Sequence, residues 1–193
     1  MNNNFARDHE LQILFTRLYR LNSNSPLVDA TNTETVAEYY LLENLTIGLI
    51  RDSNMDMRGY EPGIAERWWH STPNSWSFKI RDNLRWSNGQ AITLHEIKES
   101  LSRLKNSKSR HILYMKNLDE ISADLHTNEI VLRFANPVNS GVLHELSLAD
   151  SGLLHPLNLQ YDWSVTSGPY TISSFNRELN EAHLELNKFC PPS

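Results

Sequence analysis

One cysteine, Cys190, stands in 193 residues, so no internal disulfide is possible and the composition argues against a cysteine-based metal site. No stretch approaches the ~20 apolar residues of a membrane-spanning helix. Positive charge is also short. The 18 Lys and Arg against 23 Asp and Glu leave a net charge of −5, which argues against a general nucleic-acid binder. The seven glycines (48, 59, 63, 89, 141, 152 and 168) include no G-x-G-x-x-G turn and no Walker-type loop. His95-Glu96 and His144-Glu145 each lack the second histidine of H-E-x-x-H, and no G-x-S-x-G elbow occurs. Eight histidines leave a His/carboxylate site open by composition, but scattered histidines are far more often surface or core residues. No metal, cofactor or catalytic residue is expected, and the chain reads as a non-enzyme. The segment Met1 to Glu10 has neither an apolar core nor a small-residue cleavage site. Two locations fit: periplasmic or extracellular if a leader has been removed, cytoplasmic otherwise.

What is present is an ordinary globular balance, with 39% apolar and 21% charged residues. Leu11 to Phe15 reads as an opening strand, and Asn22 to Asn32 as a loop. Thr33 is placed to cap a helix that carries Val36, Ala37, Tyr40, Leu41 and Leu45 and ends near Gly48. Asp52 to Gly63 reads as a polar loop. Arg67–Ser71 and Trp76–Ile80 flank the turn Thr72-Pro73-Asn74-Ser75 and predict a hairpin, with Trp76, Phe78 and Ile80 on its buried side. Trp68, Trp69, Trp76 and Trp86 cluster here and suit an aromatic core covering a sheet.

The clearest helix runs from Thr93 to Lys105. Thr93 and Glu96 form a capping box, and Leu94, Ile97, Leu101 and Leu104 share one face. Glu129–Phe134 predicts a strand, Gly141–Leu148 a short helix, and Ser167-Gly168-Pro169 a turn into a closing hairpin, Tyr170–Phe175 with His183–Leu186. Asn44-Leu45-Thr46 matches a glycosylation sequon but falls within a helix, where that reading fails. Interleaved strands and helices give a mixed α/β (α+β) fold in one body.

Several segments, in order, resemble family 5 extracellular solute-binding proteins, the dipeptide- and oligopeptide-binding subunits of ABC importers. Glu61-Pro62-Gly63-Ile64-Ala65-Glu66-Arg67-Trp68 is similar to that family's "PGLAESW". Trp76 to Gly89 is similar to "YTFHLRDGVKWSDG", Ala91 to Ile97 to "PVTAEDV", Glu129 to Phe134 to "YTVRFTL", and Thr166 to Tyr170 to "GTGPY". Upstream, Val28-Asp29-Ala30 stands where the family has "LDP", and Asn44 to Leu49 where it has "LFEGL".

The resemblance implies one lobe of a type II periplasmic-binding-protein-like fold, with 1–193 as a single lobe and the second lobe absent. It implies recognition of a peptide or similar small solute, with the membrane subunits of an importer as partners. By position it implies ligand contacts at Thr33, Glu34, Thr35 and Val36, and at Tyr114; Thr33 and Glu34 also suit helix capping. An alternative is the solute-sensing domain of a cytoplasmic transcriptional regulator, of which this chain would be only the sensor. A lobe without its partner leaves apolar surface in water, so self-association is expected through a face near Thr33 to Val36 and Ser167 to Tyr170.

Overall fold

The computed structural model describes residues 10–14, 28–29, 36–53, 59–176 and 181–191. Nine strands and three helices occur among them: β1 (Glu10–Leu14), α1 (Val36–Leu45), β2 (Ile50–Asp52), β3 (Tyr60–Pro62), β4 (Ala65–Thr72), β5 (Ser75–Ile80), α2 (Leu94–Ser102), β6 (Leu118–Asp124), β7 (Glu129–Phe134), α3 (Gly141–Ser147), β8 (Tyr170–Asn176) and β9 (Glu181–Leu186). The elements interleave as the mixed α/β reading requires.

A four-stranded antiparallel sheet, in the order β4-β5-β7-β6, forms the larger part. Its inner face carries Trp76, Phe78, Ile80, Ile130, Leu132 and Phe134, all buried against Leu94, Ile97, Leu101 and Leu104. The period of two in the strands and the helical spacing of the leucines therefore meet in one core. Thr93 caps α2 as its sequence predicts: the Glu96 N–H donates to Thr93 Oγ1 at 3.2 Å, and the Thr93 N–H donates to Glu96 Oε2 at 2.8 Å. The last predicted turn tightens to a 3₁₀ turn, Arg103–Asn106, which keeps Leu104 buried.

A second cluster packs α1, through Leu41, Leu42 and Leu45, onto Ala182 and Leu184 of β9, with Val28 and Trp163 alongside. Here the sheet order is β1-β9-β8, so the opening strand pairs with the last one. Residues 149–154 and 166–168 tie the two clusters together. The Leu153 N–H donates to Ile47 O at 2.9 Å, and the Leu154 N–H donates to Ser100 Oγ at 2.9 Å. Arg103 Nη2 donates to Gly152 O at 2.5 Å.

Several sequence expectations need correction. Asp52 to Gly63 is not simply a loop, because Asp52 closes β2 and Tyr60–Pro62 pairs with it antiparallel. A three-residue strand is too short to show a period, so composition hid it. β6 was not foreseen either; its pattern is broken by a register shift between Leu118 and Glu120. β5 is not half-buried, since Ser77 is covered as well as Trp76 and Phe78. Of the clustered tryptophans, Trp76 and Trp86 are core, Trp68 packs partly against it, and Trp69 stays exposed with the Arg67 guanidinium 5.7 Å from its ring centre.

Candidate functional site

Thr33, Glu34 and Thr35 lie outside the described residues. Val36 opens α1 and is 70% exposed. On the same face one turn later, the Tyr39 hydroxyl accepts the Ala149 N–H at 3.4 Å, which seats the start of α1 just beyond the end of α3. Tyr39 and Tyr40 stand edge to face with ring centres 6.4 Å apart, and Tyr40 remains exposed.

A recess of about 160 Å³ opens at this junction, between α1, the segment 46–48, β2 and the end of α3. Tyr39, Glu43, Thr46, Arg51, Asp52 and Ser147 supply its polar lining. Ser147 Oγ donates to Asp52 Oδ1 at 2.7 Å. Partial burial lifts the Glu43 carboxyl above the usual carboxylate range, and the nearby Asp52 charge lifts it further. Burial likewise raises the Tyr39 phenol, opposed by its bond with Ala149 and reinforced by Glu43. Two carboxylates and a phenol share this recess with the Arg51 guanidinium, so its lining is of mixed charge and suits a small polar group. Its volume equals that of about five liquid waters, so it takes a headgroup rather than a whole peptide.

Tyr114 lies elsewhere. Its backbone N–H donates to Glu145 Oε1 at 2.7 Å, and its ring lies so close to Gly141 that a Cβ there would come within 2.7 Å of Cε2. Gly141 is the first residue of α3, whereas Tyr39 meets the residues just past its last one. A helix of seven residues, about 10 Å long, separates the two places. The structure does not bring Val36 and Tyr114 into contact; it sets them at opposite ends of α3.

Ser167 and Gly168 are buried rather than on an open face, which corrects that part of the expected self-association surface. Ser167 Oγ donates to Leu153 O at 2.6 Å and accepts the Ile47 N–H at 3.2 Å. The Gly168 N–H donates to Leu45 O at 3.0 Å. Tyr170 is half-buried against the second cluster. This turn builds the floor beneath α1 and offers little of itself to a ligand.

Sequence reasoning missed Tyr39, Glu43, Asp52 and Glu145. For Glu145 a signal existed: it falls three residues after Val142 on the buried face of α3, where a carboxylate needs partners. Among the described residues no group of three or more His, Cys, Asp or Glu could hold a metal ion, and no helix is long and apolar enough to cross a membrane.

Comparison with known proteins agrees with the architecture. The periplasmic oligopeptide-binding protein OppA of Salmonella typhimurium is 32% identical over 104 residues, which is 50% of this chain and 19% of that protein. The periplasmic murein peptide-binding protein MppA of Escherichia coli is 28% identical over 83 residues, 42% of this chain and 15% of that protein. The chain thus spans less than a fifth of the length of these relatives. Among solved structures, Haemophilus influenzae OppA in complex with the peptide RPPGFSPFR matches with a TM-score of 0.71 at 20% identity, covering 86% of this chain and 37% of that one. A substrate-binding protein of Microbacterium hydrocarbonoxydans in complex with 4-hydroxybenzoate hydrazide gives a TM-score of 0.71 at 24% identity, covering 86% and 35%. These likenesses show the fold to be that of OppA-type periplasmic binding proteins. The family model described as "Bacterial extracellular solute-binding proteins, family 5 Middle" matches residues 59–188, more than half of the sequence, and this chain belongs to that family.

Proposed function

We propose that this chain recognises a peptide or similar small solute, without catalysis, as part of the binding component of an ABC importer. The observation that carries the reading is the recess beside the exposed first turn of α1, bordered by Tyr39, Glu43, Arg51 and Asp52. Positions 33–36, named for ligand contact by the family resemblance, lead directly into that turn. An extended peptide lying across it would be held mainly by its main chain, with a small polar group of the peptide turned into the recess. On this reading 1–193 acts as one lobe, and a second lobe supplies the opposing wall of the cleft. The importer's membrane subunits are the partners, and the site of action is the periplasm or the outer face of the membrane.

One wall offers half the contacts and does not exclude water from the peptide's charged ends, so the 193-residue chain binds weakly. Saturation-transfer NMR with trilysine and triglutamate at millimolar concentration tests this. Transfer to both peptides, reduced in Glu43→Ala, is the expected result. Transfer unchanged in Glu43→Ala would overturn the role of the recess, and transfer to neither would overturn the peptide reading.

A further inference from the structure

Asn88-Gly89 is the only Asn-Gly pair in the sequence. It lies at the tip of a tight turn, with Asn88 exposed. The Gly89 N–H donates to Trp86 O at 2.8 Å, and the Trp86 N–H donates to Gln90 O at 2.9 Å. The Asn88 side chain is folded back over the peptide that follows it: its Oδ1 accepts the Gln90 N–H at 3.0 Å, and its Nδ2 donates to Gln90 Oε1 at 2.9 Å. Gly89 has φ +85° and no side chain to stand between its nitrogen and that carboxamide. Arg85 Nη1 donates to Gly89 O at 2.7 Å, so a cation is held at the same turn.

We propose that Asn88 is a site of self-modification, at which the chain converts its own asparagine to aspartate and isoaspartate. The Gly89 nitrogen loses its proton to hydroxide and attacks Asn88 Cγ. The new N–Cγ bond closes a cyclic imide, the Cγ–Nδ2 bond breaks, and Nδ2 leaves as ammonia with a proton from water. A second water opens the imide. Opening at Cγ leaves aspartate; opening at the main-chain carbonyl leaves isoaspartate, with the chain routed through the former side chain. The Gln90 N–H on Oδ1 stabilises the oxyanion that forms at Cγ, and the Arg85 charge favours loss of the Gly89 proton. The Gly89 N–H must first leave Trp86 O, a small opening for an exposed turn. The two products affect the fold differently. Aspartate keeps an oxygen for the Gln90 N–H and adds one negative charge near Arg85. Isoaspartate inserts a methylene group into a main chain whose length two hydrogen bonds fix. This turn is also a joint. The Ser87 N–H donates to Thr166 O and the Thr166 N–H to Ser87 Oγ, both at 2.9 Å. A Cβ on Gly89 would lie 3.3 Å from Phe189 Cζ. Isoaspartate at 88 therefore loosens the hold of the turn on residues 166–168 and on Phe189.

The test holds the full 193-residue chain at pH 8 and 37 °C and follows its tryptic peptides by mass spectrometry over several days. The peptide carrying Asn88 should gain about 1 Da, about tenfold faster than those carrying Asn74 and Asn139, whose next residue is serine. An equal or lower rate at Asn88 would overturn the proposal. Arg85→Gln should slow the reaction about threefold in the folded chain and leave it unchanged in concentrated urea, where the guanidinium is no longer held at the turn. No slowing, or equal slowing in urea, would overturn the role given to the folded turn. Chromatography separates the products, and the Asn88→Asp variant marks the aspartate form. The aspartate fraction should melt with the parent and the isoaspartate fraction several degrees below it. An isoaspartate fraction that melts with the parent would overturn the effect on the joint.

Discussion

The indole N–H of Trp86 donates to Oε1 of Glu96 at 3.0 Å, while Oε2 of the same carboxylate takes the Thr93 N–H at 2.8 Å. One side chain therefore closes the capping box of α2 and satisfies a fully buried tryptophan. Glu96→Ala should cost about 2–4 kcal/mol, the sum of a lost cap and a buried donor without an acceptor. Thr93→Ala should cost only about 1 kcal/mol, because Trp86 keeps its partner. Urea denaturation of both variants checks the difference; equal losses would mean that the indole bond contributes nothing.

Leu101 is 3% exposed at the centre of the face that α2 turns to the sheet. Leu101→Ala should lose about 2–5 kcal/mol. Leu101→Asp, which buries an unpaired charge, should abolish the cooperative thermal transition. A transition near that of the parent would show that α2 is not packed as described.

Gly168 stands against backbone, not side chains. A Cβ there would meet Thr46 N at 2.5 Å and the Leu45 carbonyl carbon at 2.6 Å. Gly168→Ala should therefore destabilise by several kcal/mol, since main chain at the end of α1 must move. Gly141→Ala, whose Cβ meets mostly side-chain atoms, should stay folded. Comparing their melting curves separates the two kinds of crowding.

Burial, with Asp52 second, raises the Glu43 carboxyl in the folded chain. The folded form therefore holds that proton more tightly than the unfolded one. The resulting stability is fully present below the unfolded value of about 4.3 and is lost as pH rises through the folded value. Glu43→Gln should raise the melting temperature at pH 7 and bring no gain near pH 3. Asp52→Asn should give part of the same gain. A neutral-pH melting temperature unchanged by Glu43→Gln would place the carboxylate in open solvent.

Much of the fold is legible in the sequence because the core follows simple periods. Ile130, Leu132 and Phe134 alternate, Leu94 to Leu104 keep helical spacing, and both sets are buried where the pattern puts them. Thr93 with Glu96 announces its cap. The recess is not legible in this way. Glu43 and Asp52 are nine positions apart on a helix and a short strand, and Ser147 comes from a third element. No local spacing encodes that meeting; the packing of α1 against the end of α3 creates it. Glu145 is hidden for the opposite reason, since its partners are backbone N–H groups, which every sequence has. Val36 and Tyr114 were named by position in a family pattern, and distance along α3 keeps them apart.

The pairing of β1 with β9 sets Glu10 opposite Glu185, 175 positions apart (185 − 10). At a synthesis rate of roughly 5–20 residues per second, the first strand emerges roughly 9–35 s before its partner exists. Closing so long a loop costs about 4–5 kcal/mol of chain entropy, which must be met before any strand contact offsets it. The four-stranded sheet, whose strands lie between residues 65 and 134, is free to form during this interval. The sheet beneath α1 is not. The assembly of this chain thus has a fixed order in time. Until β9 has been made, β1 lacks the strand it pairs with, and this is the stretch on which a chaperone that grips unpaired backbone would act.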